Sequence, residues 1–193
     1  VSLTKTGAGV LALTTAGGNN SNTYTGTTLV SGGRLHLNKT AGQNAIPGQL
    51  DITTGGLVSF GASNQIADTA SVNVSGVGSV FQGTGFNAGQ LANLQETITN
   101  LTVTGGTFQT GAGSVWNITG TGTFTGGAGN TIFLGNSGTT ISFGALSLTG
   151  MTATPGGTVR ARSAVLAAGG SLLRFRPLRR SLTVTSSHMV ITE

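Results

Sequence analysis

The amino-acid sequence predicts an all-β chain of short strands and Gly/Asn/Thr-rich corners, wound into a β-solenoid. Three observations carry this reading. The strand-then-corner plan of residues 3–37 recurs downstream, apolar residues alternate by two within each run, and 34 of the 193 residues are Gly against only 3 Pro. Charged residues make up 7% of the chain, where about 25% is usual, so Thr, Ser, Asn and Gly must cover the surface. Those residues suit strands and turns better than helices. Disorder is not predicted, because 37% of the residues are hydrophobic and Val, Ile, Leu and Phe fall in regular runs.

The elements follow in order. Residues 3–37 alternate apolar couplets (Val10, Leu11 and Leu13; Leu29 and Val30; Leu35 and Leu37) with polar corners. Four segments then share one plan, two apolar-x-apolar runs around a short Gly corner: residues 27–37 (TTLVSGGRLHL), 48–60 (GQLDITTGGLVSF), 70–82 (ASVNVSGVGSVFQ) and 99–110 (TNLTVTGGTFQT). Their corners fall at Gly32/Gly33, Gly55/Gly56, Gly76/Gly78 and Gly105/Gly106. Steps of about 20 to 30 residues signal a solenoid. Period-two alternation sends Leu50 and Ile52 inward with Asp51 outward, Val72 and Val74 inward with Asn73 outward, and Leu101 and Val103 inward with Thr102 outward. Leu146 and Leu148 follow the same rule around Ser147. Separate strands are expected around residues 115–118, 123–124, 132–134, 140–143 and 146–148, and residues 85–100 are the candidate for an excursion, as a helical turn or a bulging loop. Each coil leaves two edges that parallel pairing with the next coil satisfies, and each end needs a cap.

Cysteine is absent, which removes disulfides and thiolate chemistry. No apolar run approaches the roughly 20 residues of a membrane-spanning helix. The chain opens at Val1 with neither Met nor a basic, apolar leader, and is expected to be a segment of a longer protein. Its net charge of +5 is uneven. Before residue 160, Lys5, Arg34 and Lys39 balance Asp51, Asp68 and Glu96; beyond it, Arg160, Arg162, Arg174, Arg176, Arg179 and Arg180 face only Glu193. The chain therefore divides into repeats over 1–159 and an Arg-rich segment over 160–193, read as a last coil, a cap or a disordered tail.

Candidate chemistry is sparse. Glycoside hydrolysis needs two carboxyls about 5 to 9.5 Å apart. Asp51 is expected to stack beside Asn73 and Thr102, with Asp68 and Glu96 in connecting segments, so no catalytic residue is assigned and the chain is not expected to be an enzyme. His36 points outward beside Arg34. With two His, no Cys and no GGxGxD repeat, no metal site and no cofactor are expected. Gly-rich stretches lack a Walker lysine and read as corners. Trp116 alternates with Ile118 and is expected in the core. Thr-x-Thr pairs at Thr23/Thr25, Thr102/Thr104, Thr123/Thr125 and Thr183/Thr185 suggest an ice-binding solenoid, but their uneven spacing predicts no flat array. The cluster Arg174, Arg176, Arg179 and Arg180 (RFRPLRR) has two readings: an anion-binding patch for acidic polymers or lipopolysaccharide phosphates, sensitive to salt, or a solvated end.

LTKTGAGVLALT followed by NTYTGTTLVSGGRL resembles the autotransporter-associated β-strand repeat, also called the passenger-associated transport repeat. Leu3, Lys5, Gly7, Gly9, Leu11 and Leu13 match its first part, and Asn22, Thr23, Tyr24, Thr25, Gly26, Thr28, Val30, Gly33 and Leu35 its second. Residues 14–21 are an insertion relative to that pattern, and the likeness covers about the first 35 residues. The resemblance implies a right-handed parallel β-helix passenger of a Gram-negative bacterium, extracellular or on the cell surface, secreted through a C-terminal outer-membrane barrel. The function expected is a non-enzymatic stalk or adhesive scaffold that aids secretion, with surface or matrix glycans or proteins as partners and no specific nucleic acid. The alternative is a carbohydrate-active β-helix enzyme or polysaccharide-binding module whose site lies in other coils.

Overall fold

The structure, a computed structural model, describes residues 1–15, 20–84, 92–126 and 138–149 with their side chains; for residues 131–133 and the strands beyond 149 it describes the backbone alone. Among the described residues there are twenty strands and no helix. The chain begins with β1 (Leu3–Lys5), β2 (Val10–Thr14), β3 (Thr28–Val30), β4 (Arg34–Asn38), β5 (Leu50–Ile52) and β6 (Leu57–Phe60). It continues through β7 (Ser71–Ser75), β8 (Val80–Gly83), β9 (Gln95–Ile98), β10 (Asn100–Thr104), β11 (Thr107–Thr110), β12 (Val115–Thr125), β13 (Thr131–Phe133) and β14 (Thr140–Thr149). The backbone then forms β15 (Thr152–Thr154), β16 (Thr158–Ala161), β17 (Ala164–Ala168), β18 (Ser171–Arg174), β19 (Ser181–Thr185) and β20 (His188–Thr192).

These strands stack as a parallel β-solenoid. One ladder runs β1-β3-β5-β7-β10-β12-β14-β17 and the second β2-β4-β6-β8-β11-β13-β15, each strand pairing with its equivalent in the next coil. Leu3 pairs with Thr28, Thr28 with Leu50, Leu50 with Val72, Val72 with Leu101 and Leu101 with Gly122. β16 and β17 both pair in parallel with β14, and the remaining pairings are antiparallel, β16 with β19, β19 with β20 and β17 with β18.

A third line of parallel contacts, not foreseen in the two-strand plan, closes each coil. It begins at the Ile46–Ile66 bridge and continues through β9, the first half of β12 and the first half of β14. The two strands expected within residues 115–125 are therefore one strand, β12, which bends between Ile118 and Thr121, where its register against β14 shifts. A strand likewise forms at residues 95–98 of the suspected excursion, while residues 85–91 lie outside those described.

Alternation builds the core as the sequence predicts. Val30, Ile52, Val74, Val103 and Phe124 line the inside of the first ladder, and Leu35, Val58, Phe81 and Phe108 that of the second, all buried. Each inward side chain rests on its equivalent one coil away, so apolar surface is removed from water along the whole axis. Corners admit close backbone approach: Gly33 has a φ of 61°, and a Cβ there would stand 2.4 Å from the carbonyl oxygens of both Gly7 and Gly9. No side chain fits that position without moving the coil beneath.

Register sets two of the four Thr-x-Thr pairs side by side. Thr102 and Thr104 pair with Thr123 and Thr125, which pair with Ser147 and Thr149. Outside these rows the outward column is mixed, with Asn73, Asp51 and Leu29 on one side and Val165 on the other.

Candidate functional site

A polar groove of about 700 Å³ lies along the third line of contacts. Asn44, Asn64, Asp68, Gln95, Glu96 and Asn117 are among the residues that form it. Asn64 sits at a left-handed corner with φ 53°, Asp68 lies in the turn after Ile66, Gln95 and Glu96 come from β9, and Asn117 comes from β12. The Asn64 amide donates to the Gln95 carbonyl at 2.9 Å, which joins two coils at the groove.

Glu96 is the charged residue that the sequence reading misplaced. It belongs to β9, faces inward and is 2% exposed. The run Leu94, Glu96, Ile98 alternates like any other strand, and that signal places Glu96 on the buried side. Its Oε2 accepts the Gln65 amide at 2.9 Å and its Oε1 the Ile66 amide at 3.2 Å. Burial pushes its pKa up to about 8 against the pull of these amides, and the nearby Asp68 charge adds to the rise. The solenoid thus brings Asp68 and Glu96 to one groove, where the sequence suggested two separate connecting segments. With both oxygens engaged by backbone amides, Glu96 fastens two coils together. What the groove presents outward is carboxamides, Thr hydroxyls and the Asp68 carboxyl, a set that hydrogen-bonds polyols.

The other candidates are held by their neighbours. Asp51 stands outward beside Asn73, as predicted, and accepts from Asn73 Nδ2 at 2.8 Å and from Gln49 Nε2 at 2.8 and 3.1 Å. His36 points outward; its Nδ1 lies 3.1 Å from Ser59 Oγ, and burial and the Arg34 charge lower its pKa. Ser59 is wholly buried and is no open nucleophile. Lys5 is buried and donates to the carbonyls of Thr6, Gly7 and Gly32 at 2.7, 2.7 and 3.0 Å. The Tyr24 hydroxyl lies 2.6 Å from Thr28 Oγ1, with its pKa raised by burial. Trp116 is fully buried, as expected.

Of the Arg cluster, Arg174 is described only as the backbone end of β18, and Arg176, Arg179 and Arg180 lie outside the described residues. Among the described residues no three His, Cys, Asp or Glu gather where a metal ion could sit, and no helix is long and apolar enough to cross a membrane. Comparisons with protein families, with curated proteins and with solved structures return no match to this chain.

Proposed function

We propose that this chain is a non-enzymatic stalk or adhesive scaffold of the autotransporter-passenger kind, carried outside a Gram-negative cell through its outer membrane. The observation that supports this reading is the pair of parallel ladders, each strand stacked on its equivalent around a continuous column of apolar side chains. Such a body is stiff because every coil is hydrogen-bonded along its length to the next. It can also fold coil by coil, since each repeat contacts only its neighbours. Chain emerging from a narrow pore can then add one coil at a time without waiting for distant partners. The signature residues agree with a purely architectural use, Lys5 closing the corner carbonyls and Tyr24 bonding to Thr28.

The test places the chain between a secretion signal and an outer-membrane barrel in a Gram-negative host. Protease added to intact cells should remove it, showing surface display. Chain protected from protease, or displayed no better than a shuffled sequence of the same composition, overturns the proposal.

A second reading rests on the groove beside Asp68. Its amides and hydroxyls favour a neutral polysaccharide ligand, and Asp68→Ala with Asn117→Ala should abolish binding of such a polymer in calorimetry. Equal binding by the double variant rules the groove out.

A further inference from the structure

We propose that the outer face of β10 and of the second halves of β12 and β14 binds the surface of ice. The residues that carry this are Thr102 and Thr104 on β10, Thr123 and Thr125 on β12, and Ser147 and Thr149 on β14. The register sets them in two columns, Thr102–Thr123–Ser147 and Thr104–Thr125–Thr149, across three adjacent strands. Both columns continue into β7, where Asn73 pairs with Thr102 and Ser75 with Thr104. All six hydroxyl-bearing residues are half-buried or exposed, and no other described residue engages their hydroxyls.

The geometry is that of a two-dimensional lattice. Neighbouring strands stand about 4.8 Å apart and same-face residues along a strand about 6.7 Å apart, so the hydroxyls repeat in two directions at fixed intervals. Hexagonal ice repeats its oxygens at closely similar intervals. At the five Thr positions a methyl stands beside the hydroxyl and the β-branch holds χ1 in few rotamers, so little side-chain freedom is lost when the face meets a rigid surface; Ser147 supplies a hydroxyl alone. The six positions carry no charge; the column runs on through Asn73 to Asp51 on one side and through Val165 to the Arg174 position on the other. A charged face would hold a hydration shell that does not match ice, and an anionic partner would require cations. The absence of an aromatic side chain in either column argues against a crystalline polysaccharide, whose sugar rings are met by flat rings.

The experiment cools the full chain with a seed crystal and reads two quantities: the gap between melting and freezing points, and the uptake of labelled protein into growing ice. The expected result is a measurable gap and enrichment in ice for the parent. Both should vanish in Thr123→Lys and persist in Thr107→Lys, which adds the same charge to the outer side of β11. Circular dichroism melts establish that each variant folds. If Thr123→Lys does not, Thr102→Ser with Thr123→Ser removes only the two methyls and should reduce the freezing gap several-fold. Exclusion of the parent from ice overturns the proposal, as does equal uptake by parent and Thr-face variants. Retention on microcrystalline cellulose without uptake into ice overturns it in favour of a polymer-binding face.

Discussion

The indole of Trp116 occupies the space that Gly83 leaves open. A Cβ on Gly83 would stand 2.4 Å from Trp116 Cζ2 and 3.1 Å from Nε1. Gly83 ends β8 beside Phe81, and Trp116 meets Phe60, Phe81 and Phe108 edge-on, with ring centroids 5.7, 5.3 and 5.0 Å away. One glycine therefore lets a third wall of the coil pack its largest side chain against the second. Gly83→Ala overfills this site and should cost about 1–3 kcal/mol. A lowered midpoint in urea with an unchanged slope is the expected reading; an unchanged midpoint would show that the indole has room to move.

Glu96 makes stability depend on pH. Its folded pKa of about 8 lies above the ordinary value of 4.5, so the folded state holds its proton more tightly than the unfolded one. The stabilising contribution is full below 4.5 and is lost as pH rises through 8. Within that window the slope approaches about 1.4 kcal/mol per pH unit. Denaturation at several pH values should show stability falling toward alkaline pH, and Glu96→Gln should flatten the curve. A Glu96→Gln variant that kept the parent's pH profile would sink this account.

Removing the acceptor altogether has a different effect. Glu96→Ala leaves the amides of Gln65 and Ile66 buried without their partner, at about 1–3 kcal/mol for each unsatisfied group. Because the fastening joins neighbouring coils, hydrogen exchange at Gln65 and Ile66 should quicken more than at the Ile52 amide on the first ladder. Uniform acceleration across the chain would contradict a local role.

Lys5 offers a similar local test. Its ammonium satisfies three carbonyls at the first corner, and hydrogen bonds from a charged donor contribute about 1.5–3 kcal/mol. Lys5→Met should loosen the first coil, seen as faster exchange of the Ser31 amide, which bonds to the Lys5 carbonyl at 2.9 Å. Unaltered exchange at Ser31 would mean that the corner holds without the ammonium.

Two glycines with similar backbone separate strain from collision. Gly42, at φ 83°, has nothing within 4 Å of its would-be Cβ, so Gly42→Ala should cost only about 1–2 kcal/mol of left-handed strain. Gly33→Ala adds contact with two carbonyl oxygens and should cost about 2–5 kcal/mol. Thermal midpoints of the pair compare them directly; equal losses would mean that the clash relaxes freely.

The chain's own sequence determined what is local. Alternation in Leu50–Asp51–Ile52 and Val72–Asn73–Val74 told inside from outside, and the paired glycines marked the corners, because a strand has period two and a tight turn needs an unhindered backbone. It also placed Trp116 in the core. The tertiary structure alone decided which coils' residues meet. Thr102 and Thr123 share a row, as do Asn73 and Thr102, although the loops between those pairs differ in length. Glu96 reaches Gln65 and Ile66 because the third wall runs beside them, and Trp116 finds the gap at Gly83 because β12 bends around a corner. Hydrogen-bond ladders fix register across coils of unequal length, and spacing along the chain carries no record of that alignment.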